Sequence, residues 1–332
     1  MTRFYDARAN IYAVSTPDAL RDLGIAVART AAQASADRET WAKDAIRALC
    51  DWPPGTRPAD AKAHRCDGLL IGPFQQHAPF DVLIVNTDGT LAERSGNGLT
   101  IFAQALTETG HVGAQGRFEL KVHHDKHDSA SPVSTWIEPA TLQGQAGFWL
   151  ELGKPAFGPA AVGAQAKGLG EISLAGRALS RVNALSRLEP DWDHSVFVRI
   201  GNPHCVTLVR DNTQLPAFQA LHEPPLSSAL TRIAFAEGDL GTGEPCPAGV
   251  NLQWACVASP SRIVARVFER GEGPTASSGT SASAVACAAW HAGQVSAGLI
   301  EIEMPGGTAP VRLVERGGEL QQVALFGVAR RT

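Results

Sequence analysis

Two segments of this chain read as versions of one another, and that duplication limits its fold more than any other feature. The first is Asn86-Thr87-Asp88-Gly89-Thr90, followed after four residues by Ser95-Gly96-Asn97-Gly98. The second is Glu269-Arg270-Gly271-Glu272-Gly273, followed by Ser278-Gly279-Thr280-Ser281. Each runs from a polar turn to a Ser-Gly step, and each Ser-Gly step opens an apolar stretch with helical character. A serine that caps a helix lies beside backbone N–H groups without intrahelical partners, which together favour an anion. Two such caps suit a ligand carboxylate and the movement of a proton on the carbon next to it.

The rest of the sequence pattern fits a duplicated α/β chain. Pro17-Asp18 starts a segment rich in Ala and Leu, so 18–50 reads as largely helical, until Trp52-Pro53-Pro54-Gly55 breaks it. Apolar, β-branched runs predict strands at 68–73, 80–86, 117–123, 147–152, 195–201, 204–210, 250–257, 262–269, 298–303, 310–315 and 321–327. Helices are expected at 97–110 and 279–292, the second with small residues that suit tight enclosure by strands. The Gly-, Pro- and Ala-rich stretches 158–190 and 212–247 read as loops or excursions.

Composition excludes several function classes. The 332 residues are 44% hydrophobic and 19% charged, ordinary for a soluble protein and long enough for two domains. A net charge of −4 gives no basic field for nucleic acid. No apolar run reaches the roughly 18 residues of a membrane span. Met1-Thr2-Arg3-Phe4-Tyr5-Asp6 lacks the apolar core of a signal peptide, and the six cysteines form no CxxC pair, so the expected compartment is the cytoplasm.

Spacing adds a family resemblance. The two segments resemble N-x-D-G-(S/T)-x4-C-G-N-G and E-R-G-x-G-x-T-x-x-C-G-(T/S)-G, the paired signatures of diaminopimelate epimerase, with Ser95 and Ser278 at the two thiol positions. Gly201-Asn202-Pro203-His204-Cys205-Val206 is similar to the family's G-N-P-H-C-V, and Gly249-Val250-Asn251 to its G-V-N. Asn10 lies where the family has G-N-D-F. Cys66-Asp67-Gly68-Leu69-Leu70 resembles the D-G-L-L step, and Pro305-Gly306-Gly307-Thr308 the P-G-G-T turn.

This resemblance implies two pseudo-symmetric diaminopimelate-epimerase-like α/β domains, each a curled, mainly antiparallel sheet around a central helix. The expected division is 1–128 plus 318–332 against 129–317, with the site in the cleft between them. It further implies a homodimer and a small amino acid or related carboxylate as ligand, with no cofactor. Ser95, Ser278, Glu269 and His204 take the catalytic positions. Asn10, Asn86, Asn202, Asn251 and Arg270 hold the substrate, and the backbone of Gly96, Asn97, Gly279 and Thr280 receives its carboxylate. Three departures bear on the substrate: Leu99-Thr100 stands where the family has Arg, Ser281 where it has Gly, and Asp67 lacks a preceding G-I-G.

The two serines also bear on the chemistry. A thiol ionises near neutral pH, whereas a serine hydroxyl needs an adjacent base. Epimerisation at an α-carbon therefore stands beside one-base isomerisation, tautomerisation or dehydration, and beside a non-catalytic amino-acid binder. The run His123-His124-Asp125-Lys126-His127-Asp128 reads as a solvated linker rather than a metal site. Gly271-Glu272-Gly273 lacks the Lys-Ser/Thr ending of a phosphate-binding loop.

Overall fold

A computed structural model of the chain describes residues 2–59, 61–113, 115–126 and 130–332. The chain divides into two compact units: Met1–Glu151 with Gly327–Thr332, and Leu152–Phe326. The expected boundary at 128, and His127 and Asp128 of the His-Asp run, lie outside the described residues.

The first unit contains strands β1 (Arg3–Ala7), β2 (Asn10–Ser15), β3 (Gly68–Ile71), β4 (Phe80–Asn86), β5 (Phe118–Val122), β6 (Val133–Leu142) and β7 (Gln145–Gly153). Its helices are α1 (Pro17–Asp22), α2 (Ala31–Ala36), α3 (Ala42–Leu49) and α4 (Gly96–Glu108). β1 and β2 pair antiparallel, β2 and β3 parallel, β3 and β4 antiparallel, and β4 and β5 parallel, before the antiparallel β5–β6–β7 run. Both faces of this sheet are covered. Phe80, Val82 and Ile84 of β4 pack with α4, while Leu83 and Val85 pack with α1–α3. A period of two with cover on each side turns β4 into the continuous apolar run seen in its sequence.

The second unit contains β8 (Ala156–Phe157), β9 (Leu169–Leu174), β10 (Arg177–Val182), β11 (Ser195–Ile200), β12 (Asn202–Val209), β13 (Asn251–Ser259), β14 (Arg262–Glu269), β15 (Gly273–Thr275), β16 (Gly298–Met304), β17 (Gly307–Arg316) and β18 (Glu319–Gly327). Helices α5 (Asn183–Leu188), α6 (Leu226–Ala234) and α7 (Gly279–His291) complete it, and β19 (Arg330–Arg331) closes the chain against β1. β11, β12, β13 and β14 lie side by side, with β12 and β13 parallel and the others antiparallel. Val196 and Val198 of β11, Val206 and Leu208 of β12, Ala255 of β13, and Ile263, Ala265 and Val267 of β14 all face α7. The alternate residues Phe197, Cys205, Trp254 and Phe268 face a separate core with α5 and α6. α7 is built from small residues and buried from Gly279 to Ala289, which lets strands approach on every side. Each unit is thus an α/β layer with a mixed sheet around one buried helix.

The structure corrects several sequence expectations. Segment 18–50 is three short helices and a 3-10 turn, because Thr16 and Thr30 each cap a new start. β1, β2 and β6 lie outside the strands expected from the sequence; β1 and β6 mix polar and apolar residues because one side is partly exposed, whereas β2 is buried from Tyr12 to Ser15. Stretch 158–190 holds the regular β9–β10 hairpin and α5, and stretch 212–247 holds α6. Among the described residues no helix is long and apolar enough to cross a membrane.

Candidate active site: two serine-capped helices

Each unit presents the same local device. Ser95 caps α4 with φ −139° and ψ 119°, and its Oγ accepts the Gly98 N–H at 3.0 Å. Ser278 caps α7 with φ −145° and ψ 123°, and its Oγ accepts the Ser281 N–H at 3.4 Å. The first-turn residues Gly96, Asn97, Gly279 and Thr280 are buried, and helix geometry leaves their N–H groups without intrahelical acceptors.

The turns before the caps are also alike. In the first unit, Asn86 N–H donates to the Thr90 carbonyl at 2.8 Å, and Asn86 Nδ2 to Thr90 Oγ1 at 3.0 Å. In the second, Glu269 pairs with Gly273 across the β14–β15 hairpin. Gly271 (φ +83°) and Gly273 (φ +87°) supply the left-handed backbone that this hairpin needs and that a Cβ would disfavour.

The side chains around the two hydroxyls differ. Tyr12 OH lies 3.4 Å from Ser95 Oγ. The Tyr12 ring rests on Gly68, where a Cβ would stand 2.8 Å from a ring carbon, so the Asp67-Gly68 step makes room for the phenol. Asn10 opens β2, half-buried, just after Arg8 and Ala9, both with positive φ. Asn10, Asn86, Ser95, Gly96 and Asn97 thus all belong to the first unit.

The second unit surrounds its serine with a carboxylate. Ser278 Oγ donates to Glu269 Oε1 at 2.7 Å. The same oxygen takes Ser281 Oγ at 3.5 Å, and Glu269 Oε2 takes Thr275 Oγ1 at 3.3 Å. Burial pushes the Glu269 carboxyl above its usual range; the hydrogen bond from Ser278 opposes this and the nearby Glu272 charge adds to it. Gln253 Nε2 donates to Ser281 Oγ and to His204 Nδ1, each at 3.0 Å. His204 is fully buried, and burial together with the Arg270 charge drives its pKa down to about 3, so the ring is neutral at physiological pH. It bonds to neither serine.

Of the remaining expected residues, Asn251 Oδ1 accepts the Arg270 backbone N–H at 2.9 Å. Arg270 donates through one guanidinium nitrogen to the Ala248 carbonyl at 3.0 Å. Asn202 starts β12, paired with Ile200. The structure therefore joins Ser278 directly to Glu269, and joins His204 to that pair only through Gln253 and Ser281. Tyr12, Gln253 and Thr275 escaped the sequence reading. Gln253 carries a signal: a second amide, after Asn251, inside the otherwise apolar run 250–257, two residues before the α7-facing Ala255.

Two mixed sheets, each wrapped on a serine-capped helix, define the class: a duplicated α/β fold. The profile described as diaminopimelate epimerase matches residues 196–331. A diaminopimelate epimerase of Cupriavidus taiwanensis is 30% identical over 283 residues, covering 83% of each chain. The chain belongs to the diaminopimelate epimerase family, and it is an isomerase. Solved structures share the fold across the whole chain. A methylitaconate-delta-isomerase superposes with a TM-score of 0.58 at 15% identity, covering 100% of this chain and 93% of its own. A hydroxyproline epimerase from Agrobacterium vitis, with bound trans-4-OH-L-proline, gives 0.54 at 13% identity, covering 100% and 90%.

Proposed function

We propose that this isomerase moves a proton on the carbon next to the carboxylate of an amino acid or related acid, using its own side chains and no cofactor. Ser278 and Glu269 act as one unit. As Ser278 Oγ takes the substrate proton, its own hydroxyl proton passes to Glu269, and the reverse sequence returns a proton to carbon. A lone serine is too weak a base for this, and a carboxylate at hydrogen-bond distance supplies what is missing. The observation that carries the reading is the 2.7 Å bond from Ser278 to the buried Glu269. A carboxyl raised by burial is a stronger base nearer to neutral pH.

In this reading Ser95 and Ser278 occupy positions where the family has thiols. Gly279 and Thr280 offer N–H groups to the negative charge that grows on the substrate carboxylate. Gly96 and Asn97 offer the same in the first unit. Asn10, Asn86, Asn202, Asn251 and Arg270 serve the polar remainder of the substrate. The relatives' names agree on carboxylic acids: diaminopimelate, hydroxyproline and methylitaconate.

Epimerisation needs a second acid on the opposite face of the carbon, a role we give to Ser95 with Tyr12. One-sided isomerisation is the second reading, favoured because the partner of Ser95 is a phenol rather than a carboxylate. Proton NMR in D2O with a panel of amino acids that includes the diaminopimelate stereoisomers tests both. Loss of an α-proton signal with inverted product supports epimerisation, and loss with retained configuration supports the one-sided form. No exchange with any compound by wild-type protein sinks the proposal.

A further inference from the structure

Strand parity puts three polar side chains on the α7 face of the second unit. His204 on β12 has the parity of Val206 and Leu208, Gln253 on β13 that of Ala255, and Glu269 on β14 that of Ile263, Ala265 and Val267. Gln253 is opposite Val206 on one side and Val267 on the other. A fully buried amide among aliphatic neighbours is costly unless its hydrogens are used. Here both hydrogens are used, one on Ser281 Oγ and one on His204 Nδ1, while Oε1 has no hydrogen-bond partner among the described residues. A neutral imidazole accepts at only one nitrogen, so a donor to Nδ1 leaves the ring proton on Nε2.

The directions of these bonds follow in order. Ser281 Oγ receives the Gln253 amide, so its single proton is directed at Glu269 Oε1. Ser278 aims its own proton at the same oxygen. The spacing of three residues stacks both hydroxyls on one side of α7. Thr275 occupies the other carboxylate oxygen. Each donor in such a chain polarises the next. The corresponding position after Ser95 is Gly98, which offers a backbone N–H and no hydroxyl.

We propose that Ser281 and Gln253 are positioning residues that hold the Glu269 carboxylate aimed at Ser278, with His204 a neutral prop behind Gln253. The assignment rests on the reading in which Glu269 accepts the Ser278 proton. Ser281 meets the pair through its backbone N–H to Ser278 Oγ and its hydroxyl to Glu269 Oε1, and Gln253 acts only through Ser281. Gln253 fixes which way the Ser281 hydroxyl points, and Ser281 keeps Glu269 from turning away when Ser278 loses its proton.

The test is the titration of the Glu269 carboxyl, followed by carbon NMR of protein labelled with 13C-glutamate and assigned by the signal missing in Glu269→Gln. The ionisable neighbour on the same turn, Glu272, is left intact in every variant. Ser281→Ala removes a long donor to the ionised form, at 3.5 Å, and its midpoint is expected to rise by about 0.3–0.5 unit. Gln253→Leu is expected to raise it by less, because Ser281 keeps its hydroxyl but loses its orientation. Ser281→Cys, close in size and a weaker donor, falls between Ser281→Ala and wild type and serves if Ser281→Ala does not fold. Unchanged midpoints in the Ser281 variant and in Gln253→Leu overturn the proposal. Exchange of substrate α-protons by Glu269→Gln at the wild-type rate would instead remove the reading of Glu269 as proton acceptor, whatever the titrations give.

Discussion

Ser95 and Ser278 stand at the same place in two copies of one motif, with nearly the same backbone angles and the same capping bond to the third residue on. Their hydroxyls differ in what lies beyond them. Ser278 reaches a buried carboxylate at 2.7 Å, and Ser95 reaches a phenol at 3.4 Å. The residue after the cap's first turn differs in the same sense, Ser281 against Gly98. A duplicated backbone therefore carries two hydroxyl environments: a buried carboxylate beside one and a phenol beside the other. The cap is the shared structural part, and the carboxylate is what sets one copy apart.

The largest test of this contrast is Glu269→Gln. Loss of the proposed general base is expected to lower turnover about 10²- to 10⁴-fold, read as α-proton exchange in D2O. Stability at neutral pH is expected to hold or increase. A carboxyl with a raised folded-state pKa favours folding at low pH, and that advantage fades as pH rises through the folded value. The buried charge at neutral pH is thus a cost that glutamine does not carry. A Glu269→Gln protein that exchanges normally would show that the two caps are chemically alike.

His204 gives the next largest effect. Its folded pKa of about 3 lies below the unfolded value of 6.5, so the unfolded chain takes up the proton first. Stability conferred by this residue is complete above 6.5 and is lost as pH falls towards 3, by at most about 4–5 kcal/mol. Urea unfolding of His204→Gln across that window should show a shallower pH slope than wild type. An equal slope would mean that the ring is not held neutral, and the second cap would then have a titrating group behind it.

Cap deletion divides the two copies more finely. Ser95→Ala should cost about 1 kcal/mol of unfolding free energy, the usual price of a lost N-cap. Ser278→Ala should cost more, about 2 kcal/mol, because Glu269 also loses its shortest hydrogen bond while buried. Equal losses would mean that the Glu269 contact contributes nothing beyond the cap. The smallest effect belongs to Tyr12→Phe, at about 0.5 kcal/mol or a few-fold in rate, since its hydroxyl sits at the long limit of hydrogen bonding. A hundredfold loss there would put the phenol on a par with Glu269.

The strands that pack on both faces, β4, β11, β13 and β14 among them, were legible because burial on two sides leaves a mostly apolar run in the sequence. β1 and β6 were not, since their half-exposed patterns blend into loop composition. The short helices of 18–50 merged into one expected helix, because alanine-rich composition says little about where a threonine cap restarts the count. At the site, Ser278 and Glu269 were legible from one short motif whose hairpin folds the two together. Tyr12 is 83 residues from Ser95 and Gln253 is 28 from Ser281, and no local pattern announces such pairs.

By itself the sequence determined the duplication, the two helix starts and the Glu269–Ser278 hairpin, because turn, cap and strand chemistry act within about a dozen residues. Only the tertiary structure decided which partner each hydroxyl receives. Strand register brings His204, Gln253 and Glu269 to one helix face, and burial there sets His204 neutral and raises the Glu269 carboxyl. Charge state depends on desolvation and on neighbours remote in sequence, and both exist only once the sheet has closed around its helix.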